Sequence, residues 1–432
     1  MTEYIISGKN RLIGEINLQG SKNASLPVLA ATLVTRSVSV IHNCPDLSDV
    51  RQSLKILSAL GCKCTYEDNT AVIDSTNADG TVIDDSLMCA MRSSIIFLGA
   101  ILARSSAATV SRPGGCELGP RPIDLHLSSL RKMGAVISDH RGKLECSAKK
   151  GLTGCEIVLP VASVGATENI ILAASVAKGR TIIRNAAKEP EIADLAQFLN
   201  LCGASVKGAG GVTVTVDGVE RLHGAEFSIQ PDRIAAATYL CAAAVTGGKL
   251  TVKNVKPSHL MPVLPYYTDA GCELTVGENS VTLSAPERLS SVGTIVTREY
   301  PGFPTDAQPL FVAMSCVADG TSVFEEKIFN SRYRYVDGLN KLGANISVHD
   351  SVAVVSGVPS LYGAKVDTTD LRGGAALIIG ALSANDETVI TDTGHIARGY
   401  ENITDNLRSI GAQIKRCEND RQTETDSTKK DG

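Results

Sequence analysis

Hydrophobic and polar positions repeat along this chain with a period of roughly 70 residues. In each copy, a helix ends at a glycine and is followed by short strands with alternating apolar residues. The six glycines are Gly61, Gly134, Gly203, Gly271, Gly343 and Gly411. Each copy also contains a second, more uniformly apolar helix followed by a strand, and such a helix is typical of a buried position. The pattern therefore predicts six α/β units.

Segments of the two helix types alternate with the predicted strands. Uniformly apolar helices are predicted over 168–177, 235–244 and 374–382, and half-exposed helices over 46–60, 123–133 and 189–202. A single first strand is predicted over 4–18.

The six units divide into three per half, with a crossover near residues 230–232. This division predicts one domain over 22–229 and a second domain built from 1–21 together with 230–416. Residues 417–432 are nearly all polar or charged, so they are predicted to form a disordered tail.

Composition and charge limit the classes of function that are compatible with this sequence. The net charge of −4 and the isoelectric point near 6.0 argue against nucleic-acid binding but allow a small anionic ligand. No apolar run reaches the ~18 residues of a membrane span and no export signal is evident, so a soluble protein is expected. The twelve cysteines lie mostly in apolar runs and are expected to be reduced. Cys62 and Cys64 lack a second ligand pair, so no metal site is expected.

Polar side chains cluster where the apolar helices are predicted to begin. They are Lys22, Asn23, Arg92, Gly165 to Thr167, Asp232, Arg233, Thr305, Asp306, Asp370 and Arg372. Helix amino ends attract anions, and added lysine or arginine strengthens a phosphate or carboxylate site. Several of the polar residues also fit ordinary helix caps. Cations there oppose the helix dipole and need a compensating anion, which a bound ligand could supply.

Three further segments carry candidate chemistry. A glycine- and proline-rich loop holds Cys116 between Arg112 and Arg121, which suits either a lid over a bound anion or a surface loop with an incidental cysteine. Asp306 follows a rigid, apolar segment, so partial desolvation predicts a raised pKa and a general base. Arg398, predicted to open the final helix, is a third candidate for anion binding or a simple surface arginine.

Nine motifs together carry a family resemblance. They are Gly20-Ser-Lys22-Asn23-Ala, Arg112-Pro-Gly-Gly-Cys116, Arg121-Pro-Ile-Asp124-Leu-His126, Ser163-Val-Gly-Ala-Thr167-Glu, Glu189-Pro-Glu191-Ile, Pro231-Asp-Arg233, Phe303-Pro-Thr-Asp306, Thr369-Asp370-Leu-Arg372 and Arg398-Gly-Tyr. In order and spacing the sequence resembles the UDP-N-acetylglucosamine 1-carboxyvinyltransferase family over residues 1 to about 416. The resemblance implies a two-domain inside-out α/β barrel of six repeats. It also implies a cytoplasmic enzyme of the first committed step of peptidoglycan synthesis, with phosphoenolpyruvate and UDP-N-acetylglucosamine as substrates and no metal or cofactor.

The resemblance also assigns roles to residues. Lys22, Arg92, Arg121, Arg372 and Arg398 would bind phosphoenolpyruvate, with Lys22 counted among the catalytic groups. Asp306 would take the proton of the sugar 3'-hydroxyl. Cys116 would protonate the methylene carbon or assist product release, and it would react with fosfomycin. The nucleotide sugar would contact Asn23, Arg92, Arg121, Pro122, Ile123, Asp124, Leu125, Ser163, Val164, Gly165, Thr305, Asp306 and Ile328.

The chain departs from the family pattern at Asn330, Ser331, Ala235 and Val161, and at Gly373-Gly374. These departures bear on sugar affinity and on the support of Arg332, and none removes a proposed catalytic group. Two alternatives remain. One is the related 3-phosphoshikimate 1-carboxyvinyltransferase, whose pattern lacks the cysteine loop, and the other is a noncatalytic UDP-sugar-binding regulator.

Overall fold

Helices and strands alternate along the chain in the computed structural model, which describes residues 1–114, 118 and 122–418. The α-helices are α1 (Lys22–Thr35), α2 (Ser48–Ala59), α3 (Asp85–Ala90), α4 (Phe97–Ser105), α5 (Asp124–Lys132), α6 (Val164–Ala174), α7 (Pro190–Leu201), α8 (Arg233–Val245), α9 (Pro257–Leu260), α10 (Leu264–Asp269), α11 (Gln308–Ser315), α12 (Val336–Lys341), α13 (Leu371–Leu382) and α14 (Ile403–Ser409). Short 3-10 helices cover Arg92–Ile96, Arg332–Tyr335 and Ile396–Arg398.

The strands are short, most of them three to six residues long. They are β1 (Thr2–Ser7), β2 (Ile13–Asn17), β3 (Val38–His42), β4 (Lys63–Glu67), β5 (Thr70–Asp74), β6 (Ala107–Ser111), β7 (Val136–His140), β8 (Lys143–Ser147), β9 (Glu156–Val158), β10 (Arg180–Arg184), β11 (Ser205–Lys207), β12 (Thr213–Asp217), β13 (Glu226–Ser228), β14 (Lys249–Lys253), β15 (Glu273–Val276), β16 (Ser280–Ser284), β17 (Thr294–Val296), β18 (Thr321–Glu325), β19 (Asn345–His349), β20 (Val352–Ser356), β21 (Lys365–Asp367), β22 (Glu387–Asp392) and β23 (Gln413–Glu418).

Within the described residues the strands form six small sheets of one common plan. A strand that follows a buried helix has an antiparallel partner on one side and a parallel partner on the other, as β14 has in β16 and β2. In the sheet of β6, the parallel partner is reduced to a single bridge between Val82 and Thr109. The chain is therefore an α/β protein with mixed sheets.

A glycine follows the helix at the end of each unit, as the sequence predicts. The φ angles of Gly61, Gly134, Gly203, Gly271, Gly343 and Gly411 lie between 89° and 106°. That backbone region excludes most side chains, so glycine stops the helix and turns the chain into the next strand.

Two groups of three buried helices occupy the interior. Helices α1, α4 and α6 pack against one another, and α8, α11 and α13 do the same. The buried apolar side chains form two clusters, one from residues 24–229 and one from 4–18 together with 234–414. The predicted apolar helices are confirmed as α6, α8 and α13, with shifted ends.

Several expectations about the elements are wrong in detail. The predicted strand over 4–18 is two strands, β1 and β2, because the chain turns between them at Lys9, whose φ is 59°. Helix α7 is buried over most of its surface rather than half-exposed, because it packs on α1 and α6.

The two segments that connect the halves lie side by side. Ser21 N–H donates to the Gln230 carbonyl at 2.7 Å, and Asp232 N–H donates to the Gln19 carbonyl at 3.0 Å. Residues 230–232, where the sequence predicts a crossover, are therefore paired with the segment that leads into α1.

The carboxyl-terminal strand completes a sheet with the first strand of the chain. Strand β1 lies between β22 and β23 and is antiparallel to both. Cys417 and Glu418 belong to β23, so the predicted tail starts too early; the rest of that prediction, 419–432, lies outside the described residues. Among the described helices, none has the length and apolar character needed to cross a membrane.

Close contact between α4 and α6 generates a stability prediction at Gly99. A Cβ there would stand 2.2 Å from Asn169 Oδ1 and 2.4 Å from the Asn169 carbonyl oxygen. Gly99→Ala should therefore lower the free energy of unfolding by about 2 kcal/mol, since the helices must separate to admit the methyl group. Urea denaturation of both proteins measures the difference, and equal midpoints and slopes would show that the contact is not tight.

Candidate active site

A cleft of about 600 Å³ lies where the amino ends of the buried helices meet. Lys22 and Asn23 begin α1, Ser163 caps α6, and Arg372 lies in the first turn of α13. The predicted site residues that line the cleft are Lys22, Asn23, Arg92, Pro122, Leu125, Ser163, Val164, Gly165, Thr305, Asp306, Ile328, Arg372 and Arg398. The fold thus brings together residues that are up to several hundred positions apart in sequence.

Four predicted site residues are not among that lining. Ile123 is buried and Asp124 is exposed at the start of α5, and neither lines the cleft. The first turn of α5 directs Ile123 into the apolar core rather than toward the cleft. Cys116 and Arg121 lie outside the described residues.

Asp49 holds two of the cleft's cations. Its carboxylate, only 4% exposed, is 2.9 Å from Lys22 Nζ through Oδ2, and its Oδ1 accepts from Arg398 Nε at 3.0 Å. Burial alone would raise the pKa of Asp49, but the charges of Lys22 and Arg398 outweigh burial and lower it. The anion that compensates these two cations is therefore supplied by the protein itself.

Asp306 lies between two guanidinium groups. Arg332 Nη2 is 3.4 Å from its Oδ1 and Arg372 Nη2 is 3.4 Å from its Oδ2, while 28% of the side chain stays exposed toward the cleft. Burial favours a higher pKa, but the charges of Arg372, Arg332 and then Lys22 hold the pKa of Asp306 below its ordinary value near 3.8. The expectation of a raised pKa is wrong, because it considered burial and not these cations.

The backbone before Asp306 is held by packing and by hydrogen bonds. Phe303 packs edge-on against Tyr266 and Phe311, with ring centroids 5.2 and 5.1 Å apart. The Thr305 carbonyl accepts a hydrogen bond from Arg332 Nη2 at 2.8 Å. The carboxylate therefore stands at a fixed place on the cleft wall.

A second group of charges lies on the wall formed by α6, α7 and α8. Glu191 pairs with Arg233 at 3.0 Å, and both side chains are buried. Burial, together with the charges of Glu191 and Glu189, raises the pKa of Glu168 well above its ordinary value. Glu168 is thus a carboxyl group that favours its neutral form beside the cleft.

Some of the polar residues at the predicted helix starts are ordinary helix caps. Asp232 and Asp370 accept N–H hydrogen bonds in the first turns of α8 and α13. Thr167 is not a cap, since its hydroxyl donates to the Ser163 carbonyl and accepts from Ala187 N–H. Asp306 precedes α11 without capping it, and Arg398 ends a 3-10 helix rather than opening α14.

Two of the departures from the family pattern, Ser331 and Ala235, lie beside Arg332 and within α8. Ser331 uses its backbone N–H to donate to the Leu118 carbonyl at 3.3 Å, and Arg332 is 1% exposed with its guanidinium on Thr305, Asp306 and Asp370. Ala235 is fully buried within α8.

Of the other departures, Gly373 and Gly374 lie in a closely packed region and Val161 lies at an exposed position. A Cβ at Gly373 would come within 2.8 Å of Tyr335 Cβ, and one at Gly374 within 2.9 Å of an Ile396 side-chain atom. Glycine therefore fits the crowded first turn of α13. Val161 lines the cleft with an exposed side chain.

Sequence reasoning missed Asp49, and it did not assign Arg332 to the site. An acid in the first turn of an amphipathic helix is common, so nothing in the local pattern distinguishes Asp49. Its partner Arg398 is 349 residues away along the chain. Among the described residues, no group of three or more His, Cys, Asp or Glu side chains is placed to hold a metal ion.

Similarity to known proteins agrees with the fold. A family model described as EPSP synthase (3-phosphoshikimate 1-carboxyvinyltransferase) matches residues 6–407. The structure resembles that of the enolpyruvyl transferase NikO from Streptomyces tendae, with a TM-score of 0.87 and 25% identity, covering 96% of this chain and 98% of the other. The class of protein is therefore that of the EPSP synthase fold.

Sequence relatives narrow the class further. UDP-N-acetylglucosamine 1-carboxyvinyltransferase 2 of Caldanaerobacter subterraneus subsp. tengcongensis is 48% identical over 416 residues, 96% of this chain and 100% of the relative. UDP-N-acetylglucosamine 1-carboxyvinyltransferase of Finegoldia magna is 46% identical and covers 94% of this chain and 97% of its own length. The chain belongs to the UDP-N-acetylglucosamine 1-carboxyvinyltransferase family.

The Asp49 contacts generate a prediction about stability and pH. Asp49→Asn should lower the free energy of unfolding at pH 7 by about 2 kcal/mol, because it leaves Lys22 and Arg398 without their buried counter-charge. Since the folded-state pKa of Asp49 lies below the ordinary 3.8, its contribution is complete above about pH 4.5 and is lost as the pH falls through the folded-state value.

Urea denaturation of wild type and variant from pH 7 down to pH 3.5 measures this difference. Asp46→Asn is the matched control, because Asp46 pairs with Arg51 at the surface, with exposures of 44% and 47%, and should cost under about 0.5 kcal/mol. A difference for Asp49→Asn that is no larger than this control would contradict a role as buried counter-charge.

Proposed function

We propose that the protein transfers the enolpyruvyl group of phosphoenolpyruvate to the 3'-hydroxyl of UDP-N-acetylglucosamine and releases phosphate, the first committed step of peptidoglycan synthesis. The observation that carries the proposal is the convergence of Lys22, Arg372, Arg398 and Asp306 in one cleft. A compact polyanion needs several fixed cations, and a hydroxyl acceptor needs a nearby base. Relatives that are named UDP-N-acetylglucosamine 1-carboxyvinyltransferase and are 40–48% identical to this chain support the choice of substrates.

The reaction proceeds by addition and then elimination. The 3'-hydroxyl oxygen bonds to C2 of phosphoenolpyruvate while a proton adds to C3, which gives a tetrahedral ketal. The bond from C2 to the phosphate oxygen then breaks, and a proton leaves C3 to restore the double bond. Asp306 takes the hydroxyl proton, and by family resemblance Cys116 delivers the proton to C3 or assists product release.

The cations act on both charged ends of phosphoenolpyruvate. Lys22 and Arg398, oriented by Asp49, bind it together with Arg92, Arg121 and Arg372. The bound anion shares the positive charge that otherwise lowers the pKa of Asp306, so the carboxylate becomes a better base once phosphoenolpyruvate is present. Substrate binding thereby prepares the base for the hydroxyl.

The remaining expectations form part of the same proposal. The nucleotide sugar binds along Asn23, Pro122 to Leu125, Ser163 to Gly165 and Ile328, opposite Thr305 and Asp306. The six sheets and the two groups of buried helices support an inside-out α/β barrel of two domains, 22–229 and 1–21 with 230–416. The protein works in the cytoplasm without metal or cofactor, and fosfomycin alkylates Cys116.

The acceptor is tested by measuring phosphate release from phosphoenolpyruvate with either UDP-N-acetylglucosamine or shikimate 3-phosphate. Release is expected only with the nucleotide sugar, and Cys116→Ala and Asp306→Ala should each abolish most of it. Turnover only with shikimate 3-phosphate would identify the related synthase instead. Binding of UDP-N-acetylglucosamine without turnover of either acceptor would favour the noncatalytic regulator.

The low pKa of Asp306 generates a kinetic prediction. Asp306→Asn should lower kcat by about 10²- to 10⁴-fold while UDP-N-acetylglucosamine still binds, since a general base contributes that much. Because the free carboxyl stays ionised above its ordinary 3.8, the wild-type profile of kcat/KM should show no acid limb from this group between pH 5 and pH 7.

Steady-state kinetics across that range checks both statements. The control is Asp367→Asn, an exposed carboxylate in β21, which should leave kcat unchanged. An acid limb near pH 6 in wild type that disappears in Asp306→Asn would contradict the lowered pKa.

A further inference from the structure

Glu326 is a buried carboxylate just behind the cleft wall. It follows β18, its side chain is 4% exposed, and it does not line the cleft itself. Its Oε1 accepts from Thr297 Oγ1 at 2.9 Å, from Ile328 N–H at 2.8 Å and from Phe329 N–H at 3.1 Å. Its Oε2 accepts from Thr305 Oγ1 at 3.0 Å. In the described chain, these hydrogen bonds come from neutral donors, and no ion pair holds the carboxylate.

The four donors belong to three segments, and the Glu326 carboxylate accepts hydrogen bonds from all three. Thr297 follows β17, and its hydroxyl oxygen also accepts from Lys327 N–H at 2.9 Å. Ile328 and Phe329 form a turn on the cleft wall, and Thr305 immediately precedes Asp306. The carboxylate therefore connects the segment that carries Asp306 with the turn formed by Ile328 and Phe329.

Thr305 is held from two sides. Glu326 accepts from its hydroxyl, while Arg332 Nη2 donates to its carbonyl and also approaches Asp306 Oδ1. Arg332 alone would fix the distance of Thr305 from the 3-10 helix at 332–335, but not its distance from Ile328. The hydrogen bond to Glu326 links the Thr305 side chain directly to the turn at Ile328, beside the backbone pairing of Thr297 with Phe303.

We propose that Glu326 is a positioning residue for the transfer reaction, which holds the Asp306 carboxylate and the Ile328–Phe329 turn at a fixed separation. The proposal rests on the proposed function, in which the sugar lies between these two elements. The sugar hydroxyl meets its base only if that separation is kept, and a displacement of about 1 Å costs roughly 10²-fold in rate. Glu326 acts through Asp306 and Ile328 and does not touch the substrate.

The variants separate the two links that Glu326 makes. Glu326→Ala removes all of its hydrogen bonds and should lower kcat roughly 30- to 100-fold and raise KM for UDP-N-acetylglucosamine. Thr305→Val breaks only the link to Asp306, so it should lower kcat about 10-fold or more, whereas Thr305→Ser keeps the hydroxyl and should recover most of the kcat that Thr305→Val loses. In every variant KM for phosphoenolpyruvate should stay within about twofold, because Lys22 and Arg398 are held by Asp49 instead.

Two further variants serve as rescue and control. Glu326→Gln retains an oxygen for the three donors at Oε1, and its amide can donate to Thr305, so it should recover most of the kcat lost in Glu326→Ala. Glu325→Ala changes the neighbouring glutamate, which pairs with Lys327 at the surface, and should leave kcat and both KM values unchanged.

Steady-state kinetics with both substrates varied, run beside urea denaturation of each variant, tests the proposal. A role limited to folding would reduce kcat only as far as the folded fraction falls, with KM for both substrates unchanged; that result would overturn the proposal. If Glu326→Ala fails to fold, the kcat of Thr305→Val is compared with that of Thr305→Ser. Equal kcat values for these two variants would overturn the positioning role. If the wild-type protein turns over neither acceptor, the proposed function itself is overturned. If the wild-type protein is active and Glu326→Ala has the same kcat and KM values, only the positioning role is overturned.

Discussion

Placing several cations at one point of a protein requires buried negative charge close by, and this requirement organises the cleft. Lys22 and Arg398 share Asp49, and Arg332 and Arg372 share Asp306. The two carboxylates act differently, since Asp49 is closed off from solvent whereas Asp306 keeps part of its surface open to the cleft. The same kind of pairing thus supplies both a fixed counter-charge and a reactive group. The overall net charge of −4 conceals this local concentration of cations.

The arrangement of buried helices makes such a cleft possible. Helices α1, α4 and α6 in one half, and α8, α11 and α13 in the other, begin at or near the cleft and run away from it into the apolar interior. The partial positive charge of their amino ends lies near the same space as the arginines and lysine. A polyanion is favoured there by backbone and side chains together. Asp49 lies on α2 of one half and Arg398 in the other, so the charge pairing also joins the halves.

The glycine-ended helices and the buried helices could be predicted from sequence because their signals are local. A glycine with positive φ and an apolar helix are each visible within about fifteen residues, as at Gly203 and in α8. The candidate cations Lys22, Arg92, Arg372 and Arg398 were found in the same way, by their position at helix starts and in family motifs. Long-range partners were not predictable: Asp306 meets Arg332 and Arg372 from 26 and 66 residues away, and their combined charge reversed the expected direction of its pKa shift. The burial of the Ile123 side chain was likewise not predictable, because a motif does not reveal which residues at the start of α5 face the core.

The pairing of β1 with β22 and β23 has a consequence for how the chain reaches this structure. Residues 2–7 are inserted between two strands that lie about 400 positions further along, so the sheet cannot form until nearly all of the described chain has been synthesised. At ordinary translation rates that delay is at least about 20 s, during which the apolar side chains of Tyr4 and Ile6 lack their final partners. The half built around residues 24–229 needs no such late arrival, so it is free to fold while the ribosome is still making the other half.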